Sequence, residues 1–154
     1  MIGNSLKQHW SRQDVSIEHG VSESELCAFE RRYNVCLPED LRDYFISVNG
    51  MSPGVSDDSL IRFWMLNEIK PVSEGAPEYA GQNYVEAPDS VFLFADYCIW
   101  SHAFGIRLSS KENEQSNTVF VIGYEPAVPI ANSFSEFVGI YLNDKERERL
   151  VSAF

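Results

Sequence analysis

The sequence predicts one α+β domain with a largely antiparallel central sheet flanked by helices. Two amphipathic helices come first, several strand-like segments follow without crossover-length helices between them, and one helix comes last. The 154 residues, 44% of them hydrophobic, suit one domain over residues 1–154 with its own core. Aromatic residues make up 13% of the chain, which argues against intrinsic disorder.

The first helix is predicted over residues 21–34. Ser22 followed by Glu25 forms a capping box, in which each residue satisfies a backbone N–H of the other. Apolar residues then recur at helical spacing (Leu26, Phe29 and Tyr33). Asn34 is a typical helix stop, because asparagine tolerates the left-handed conformation.

A second helix is predicted to begin near Pro38 and to end at Asn49-Gly50. Proline suits the first helical position, where its missing N–H costs nothing, and the acidic Glu39 and Asp40 complement the helix dipole. One face carries an apolar stripe of helical period (Leu41, Tyr44, Phe45 and Val48).

The rest of the chain alternates loops and strands before a last helix. Strands are predicted at 60–64, 92–97, 99–108 and 118–123, the middle two being either separate or one long strand. Loops are predicted at 51–59, 70–89 and 109–117, of which 70–89 is long enough to suggest a functional role. The last helix begins at Ser133 with a second capping box, and the charged run 145–149 reads as a solvated helical face.

The charge balance restricts the class of partner. Twelve basic against twenty-three acidic residues give a net charge of −11, with a pI of about 4.6. An acidic surface repels nucleic acid and anionic membranes, and it attracts a basic protein. We expect a cytoplasmic protein, because no apolar run suits a signal peptide or membrane span, and because three cysteines make no disulfide framework. The cysteines are expected to be small buried side chains.

The sequence contains no complete catalytic or cofactor-binding motif. Gly50 to Gly54 matches the G-x-S-x-G nucleophile elbow by letters, but Pro53 follows the serine and has no N–H for an oxyanion hole. The three histidines are scattered, and neither metal-ligand spacings nor phosphate-binding glycine loops occur. The sequence therefore predicts no catalytic, cofactor or metal site, and a protein that is not an enzyme.

The segment 96–102 holds the most unusual cluster of side chains. If residues 92–108 are extended, alternation places one set on a single face (Phe92, Phe94, Asp96, Cys98, Trp100, His102 and Phe104). That face is either a recognition surface with aromatic anchors or a core strand whose Asp96 and His102 are satisfied by hydrogen bonds. For Trp10 and Trp64 the same two interpretations stand: each packs within the fold or lies at an interface.

The order of these signals resembles the SUKH superfamily of Smi/Knr-like proteins over about residues 20–144. The similarity rests on a succession of short segments (Glu30, Val35 to Leu41, Val48-Asn49-Gly50, Phe94-Ala95-Asp96 and Ile130 to Phe137). The residues that match family positions lie mainly where helices begin and end (Glu30, Leu37, Pro38, Asn49, Gly50, Ser133 and Phe134). The resemblance implies an α+β domain without known catalytic residues.

The resemblance also implies function. Bacterial members are thought to be immunity proteins that neutralise a cognate polymorphic or contact-dependent toxin, and fungal members regulate cell-wall glucan synthesis through protein interactions. We expect an immunity protein, with a regulatory interaction module or a small-molecule binder as alternatives. The toxin is expected to be basic, with a nuclease as the candidate class, because nuclease clefts attract acidic inhibitors. Acidic and aromatic residues from loops and central strands are the candidate partner contacts (Asp57, Asp58, Trp64, Glu74, Glu78, Asp96 and Trp100).

Overall fold

Helices lie in front of an antiparallel sheet in a computed structural model that describes residues 1–110 and 116–152. The helices are α1 (Ile2–Ser11), α2 (Glu23–Tyr33), α3 (Glu39–Ser47), α4 (Val72–Gly75), α5 (Phe134–Leu142) and α6 (Glu148–Val151). The strands are β1 (Ile17–His19), β2 (Val48–Met51), β3 (Ile61–Phe63), β4 (Lys70–Pro71), β5 (Val91–Tyr97), β6 (His102–Arg107), β7 (Val119–Ile122) and β8 (Val128–Ala131). Single turns of 3-10 helix occupy Leu66–Glu68, Pro77–Tyr79 and Pro88–Ser90.

The predicted α+β class is confirmed, and the pairing within the sheet explains it. The main sheet has the order β3-β5-β6-β7-β8, and β4 adds to β5 beyond the end of β3. Every described strand pair is antiparallel, and short turns join β5 to β6 and β7 to β8. β1 and β2 form a separate two-stranded sheet beside β3.

One face of the main sheet packs against the helices through aromatic rings. The Phe63 ring lies 5.2 Å from Trp10 of α1 and 4.9 Å from Tyr141 of α5, measured between centroids. The rings of Phe94 and Phe104 contact Phe137 of α5 at 5.1 and 5.2 Å. Burial of these rings stabilises the layer arrangement and makes this face the centre of the core.

Among the described residues, only one end of the opposite face is covered. A register shift between Leu93 and Ala95 allows Leu93 and Asp96, three residues apart, to point to the same side. The segment from α4 to the turn at Pro88 covers Leu93: a Cβ added to Gly75 would lie 3.0 Å from its Cδ1 atom. Asp96 and its neighbour Arg62 on β3 lie outside this cover.

The first predicted helix is confirmed in detail. The Ser22 hydroxyl accepts a hydrogen bond from the Glu25 amide at 3.2 Å, and the Glu25 carboxylate accepts one from the Ser22 amide at 2.7 Å. Asn34 ends the helix in the left-handed conformation with φ of 53°. Helix α5 begins at its predicted cap, where Ser133 accepts from the Glu136 amide.

The predicted end of the second helix is wrong. α3 ends at Ser47, Pro38 is its N-cap, and residues 48–51 form strand β2. Gly50 has φ of +70°, and a Cβ there would lie 2.5 Å from the Trp64 carbonyl oxygen. The glycine therefore permits close approach to the segment that follows β3, a tertiary requirement that helical periodicity does not reveal.

Several other local predictions need correction. α1 and β1 were not predicted, although Ile2, Leu6 and Trp10 of α1 have helical spacing. The segment 70–89 is not structureless, because it holds β4, α4 and a 3-10 turn. The charged run begins as a turn, and α6 starts only at Glu148; of the predicted turn 109–117, residues 111–115 lie outside the described residues. The three cysteines, all within the described residues, form no disulfide, but they are not buried as predicted: Cys27 is exposed, and the other two are half-buried.

Candidate functional site

A cleft opens on the uncovered end of the sheet, beside the hairpin loop that joins β5 to β6. Its volume is about 680 Å³, within the range of ligand and peptide pockets. Apolar side chains form much of the wall, and charged groups of β3 and β5 lie at the base (Val55, Leu60, Arg62, Trp64, Asp96 and Trp100).

The hairpin loop, residues 98–101, has an uncommon backbone. Cys98, Ile99 and Trp100 are all left-handed, with φ of 49°, 50° and 67°. Non-glycine residues rarely adopt this region, and a β-branched isoleucine adopts it least readily. Leu60 is left-handed too, with φ of 65°, and its carbonyl accepts a hydrogen bond from the Cys98 amide at 2.8 Å. Two strained segments thus hold each other at the rim of the cleft.

Asp96 anchors this loop with both carboxylate oxygens. Its Oδ1 accepts a hydrogen bond from the indole Nε1 of Trp64 at 2.6 Å, and its Oδ2 accepts one from the backbone amide of Trp100 at 3.0 Å. Asp96 is only 6% exposed, so these bonds satisfy a carboxylate that has little contact with water. The ring centroids of Trp64 and Trp100 lie 5.1 Å apart with an interplanar angle of 47°, so the two side chains pack against each other.

The loop 98–101 and the neighbouring Leu60 expose apolar side chains to solvent. Ile99 is 95% exposed, Leu60 48% and Trp100 42%. These three are among only five large hydrophobic side chains classed as exposed in the described chain, and all three line the cleft. Apolar residues scattered singly are ordinary on a surface, whereas a local group of this kind indicates an interaction site.

The charged groups at the base of the cleft are paired. The Arg62 guanidinium donates to both carboxylate oxygens of Glu68 at 3.0 and 2.7 Å, and to the carbonyls of Met51 and Ser52. Partial burial opposes ionisation of Glu68, but the hydrogen bonds from Arg62 and the Met65 amide outweigh it and hold the pKa of Glu68 below its ordinary value. Lys70 adds a positive group at the rim, so the cleft lining is balanced in charge although the chain is acidic.

Three of the seven predicted contact residues come together at this cleft: Trp64, Asp96 and Trp100. Asp58, Glu74 and Glu78 are exposed elsewhere on the surface. Asp57 is only 4% exposed, because it accepts from the amides of Ser59 and Ile61 and from the Tyr141 hydroxyl. Asp57 therefore fixes a loop in the interior, and we omit it from the proposed contact surface.

The predicted common face of residues 92–104 is wrong. The chain reverses at residues 98–101, so Asp96 lies opposite Ala103 while Tyr97 lies opposite His102. Asp96 therefore points to the cleft, and His102 points to the helices, where its Nε2 lies 2.8 Å from the Leu150 carbonyl oxygen. Burial lowers the pKa of His102, which favours the neutral ring. The sequence allows two interpretations of the cluster, a core strand or a recognition surface. His102 is packed in the core, whereas Trp100 is an exposed aromatic side chain.

Sequence reasoning missed Leu60, Ile99 and the Arg62–Glu68 pair as parts of the site. Ile99 begins a segment that is predicted as a strand, 99–108, and alternation places it on the face opposite Asp96 and Trp100. Only the loop conformation turns it outward. The one local signal for this loop is the short spacing between the carboxylate of Asp96 and Trp100. From the sequence alone, that spacing is interpreted as alternation along a strand.

The described residues hold no group of three or more histidine, cysteine or acidic side chains positioned to bind a metal ion. Ser52 of the G-x-S-x-G match hydrogen-bonds through its hydroxyl to Ser16 at 2.8 Å and to Glu18 at 2.9 Å. Within residues 1–110 and 116–152, no helix has the length and apolar character that crossing a bilayer requires.

The antiparallel sheet with helices on one face, together with the order of its helix and strand signals, is the α+β architecture of the SUKH superfamily. The model of the SMI1 / KNR4 family (SUKH-1) matches residues 20–139, and the chain belongs to this family. The matched range runs from the end of β1 into α5 and includes the whole cleft, whereas α1 lies outside it. No curated protein matches the chain.

Proposed function

We propose that the chain is an immunity protein that binds and neutralises a cognate bacterial toxin domain through protein–protein contact in the cytoplasm. Membership of the SMI1 / KNR4 family supports the class of protein. The observation that carries the proposal is the group of exposed apolar side chains formed by Ile99 and Trp100 of the strained loop and by the neighbouring Leu60. Such anchors dominate the binding energy of protein interfaces, especially when the free protein already holds them in place.

The charge of the chain supports a basic toxin, with a nuclease as the first candidate. The net charge is −11, while the cleft lining is balanced. The excess acid therefore lies outside the apolar anchors, at residues such as Asp58, Glu74 and Glu78. This division matches interfaces in which apolar residues provide the central contact and surrounding charges steer the encounter. The toxin is neutralised by contact, and no reaction is assigned to this chain.

Co-expression with a toxin tests the proposal. Where the neighbouring gene encodes a large secreted protein, its C-terminal domain is the probe, produced with and without the present chain. We expect a stable complex and restored growth with the wild-type chain, and loss of both with Ile99→Ala combined with Trp100→Ala. Ile46→Ala is the matched control, because Ile46 is 41% exposed on α3, away from the cleft. Growth arrest with the wild-type chain present contradicts the proposal.

The cleft volume of about 680 Å³ favours a second candidate, a small-molecule-binding protein. Equilibrium dialysis against a metabolite mixture distinguishes the two, because only a small-molecule binder retains a ligand without a partner protein. A regulatory interaction module like the fungal relatives is the third possibility. It predicts a stable housekeeping partner and no toxin gene beside this one.

A further inference from the structure

Asp96 stabilises the strained backbone of the hairpin loop at residues 98–101. Three consecutive left-handed residues, none of them glycine, persist only where the surroundings hold them. The loop itself supplies a backbone bond from Ser101 to Tyr97 and a contact from the Ser101 hydroxyl to the Cys98 carbonyl. The strained run is held at both ends: Cys98 donates its amide to the Leu60 carbonyl, and Trp100 donates its amide to the Asp96 carboxylate.

The carboxylate is the chemical group that this position requires. Two N–H donors, the Trp64 indole and the Trp100 amide, converge on it from strand and loop, and each oxygen accepts one. An ionised carboxylate only accepts hydrogen bonds, so it serves both donors, whereas an asparagine amide offers one accepting oxygen and a donor NH₂. Trp64 also supports the ring of Trp100 from beneath, and it is 5% exposed.

The consequence for recognition is that the anchors are held in place before binding. Ile99 projects almost fully into solvent, and its backbone neighbours on both sides are tied to the sheet, Cys98 to Leu60 and Trp100 to Asp96. A free loop would pay an ordering cost on association, and a loop already held avoids most of it. Hydrogen bonds within the folded protein offset the free-energy cost of the strained conformation instead.

We infer that Asp96 is a positioning residue, which fixes the loop 98–101 so that Ile99 and Trp100 insert into an apolar depression on the protein partner. The inference rests on the proposed function for the identity of that partner, a toxin domain. The partner chemistry follows from the anchors: an apolar depression for Ile99 and Trp100, with basic side chains around it facing the −11 charge of this chain.

The first test needs no partner. Amide hydrogen exchange of Trp100 and its neighbours is compared between the wild-type chain and Asp96→Ala. We expect exchange at these amides to rise at least about tenfold, with protection of β5 and β6 retained. Trp64→Phe removes the competing indole donor, so the double variant Asp96→Asn with Trp64→Phe leaves one donor for one acceptor. Loop protection in this double variant should exceed that in Asp96→Asn alone.

The second test measures binding to the toxin domain encoded beside the gene. Ile99→Ala removes an exposed β-branched side chain from a strained backbone, so it should not lower the melting temperature. We expect it to weaken binding by about thirtyfold or more, as hot-spot residues do. Asp96→Ala should weaken binding to a similar degree, mainly through faster dissociation. Ile46→Ala, equally conservative on α3, should bind as the wild type does.

The outcomes separate this inference from the proposed function. Unchanged loop exchange in Asp96→Ala overturns the positioning role whether or not a toxin binds. Increased exchange with unchanged binding in Asp96→Ala and Ile99→Ala overturns the role of the loop in recognition. If the wild-type chain fails to bind the toxin while the exchange result holds, the proposed function fails and the positioning of the loop stands.

Discussion

At the scale of single residues, the Tyr141 hydroxyl joins three parts of the chain. It accepts a hydrogen bond from the Trp10 indole at 2.7 Å and donates one to Asp57. Burial and the neighbouring Asp57 carboxylate raise the pKa of Tyr141, so the phenol keeps its proton and remains able to donate. Asp57 in turn holds the turn before β3 through the amides of Ser59 and Ile61.

The first prediction follows from this network. Tyr141→Phe leaves the Trp10 indole and one Asp57 oxygen without their buried partner, and we expect it to lower the free energy of unfolding by about 1–3 kcal/mol. Urea denaturation followed by tryptophan fluorescence measures the change. The matched control is Tyr44→Phe: the Tyr44 hydroxyl is buried near the Gly50 backbone without a well-formed hydrogen bond within the described residues. Equal losses from the two substitutions would contradict the assigned role.

At the scale of elements, Glu30 couples the two N-terminal helices of the matched region. Its Oε2 accepts from the Leu37 amide, at the entry to α3, at 2.7 Å, and its Oε1 accepts from Arg42 of α3 at 2.7 Å. Because Glu30 lies near the end of α2, these bonds set the angle at which the second helix leaves the first. This contact gives a physical reason for a glutamate at this position, which also carries the family resemblance.

Glu30→Ala should therefore destabilise the protein by about 2 kcal/mol, since it removes charge-assisted bonds to a partly buried guanidinium and an amide. Glu23→Ala provides the control, because Glu23 pairs with the same Arg42 but its side chain is 69% exposed. Exposed pairs contribute little, so we expect a loss below about 1 kcal/mol. Thermal denaturation of both variants decides the matter, and a larger loss from Glu23→Ala would refute the assignment.

The pair of Arg62 on β3 and Glu68 on the 3-10 turn predicts a dependence of stability on pH. The pKa of Glu68 is lowered in the folded state, so the folded protein binds its proton less readily than the unfolded chain does. The stabilisation is therefore complete above the unfolded pKa of about 4.3 and is lost as the pH falls through the folded value. The difference in unfolding free energy between wild type and Glu68→Gln should shrink as the pH is lowered below about 4.3.

Chemical denaturation at a series of pH values measures this difference. Glu146→Gln removes the same formal charge from a pair whose two side chains are about half exposed, and it controls for net charge. A difference between wild type and Glu68→Gln that stays constant over the acidic range would rule out a contribution from ionised Glu68.

At the scale of the whole molecule, the proposed function predicts that net charge and the apolar loop affect different rate constants. A charge of −11 would steer a basic toxin domain over a distance and so raise the association rate. We expect association with the toxin domain to slow steeply from about 0.01 M to about 1 M salt, where the Debye length falls from about 30 Å to about 3 Å. Stopped-flow kinetics should show that Ile99→Ala keeps this salt slope and changes dissociation instead. An association rate independent of salt would contradict electrostatic steering.

The sequence predicted most of the architecture because the signals for it are local. The capping box at Ser22, the cap at Ser133, the helical periods and the grouping of strands each depend on a few neighbouring residues, and the structure contains them. At the second helix start the Glu136 carboxylate accepts from the Asn132 amide instead of closing the predicted box with Ser133. It failed for residues 48–51, where pairing with β1 overrides the helical pattern. It also missed α1, whose Trp10 owes its position to contacts with Phe63 and Tyr141, far along the chain.

The candidate site was predicted only in part, for the same physical reason. Composition singled out Trp64, Asp96 and Trp100, but the bond between Trp64 and Asp96 joins residues 32 positions apart, and strand pairing alone makes it possible. Burial of Asp57 and exposure of Ile99 likewise depend on the packing of distant elements. The sequence by itself determined the fold class, the capped helices and the acidic charge. Only the tertiary structure decided which side chains meet at the cleft, because a left-handed loop at residues 98–101 interrupts the predicted strand and turns Ile99 and Trp100 outward.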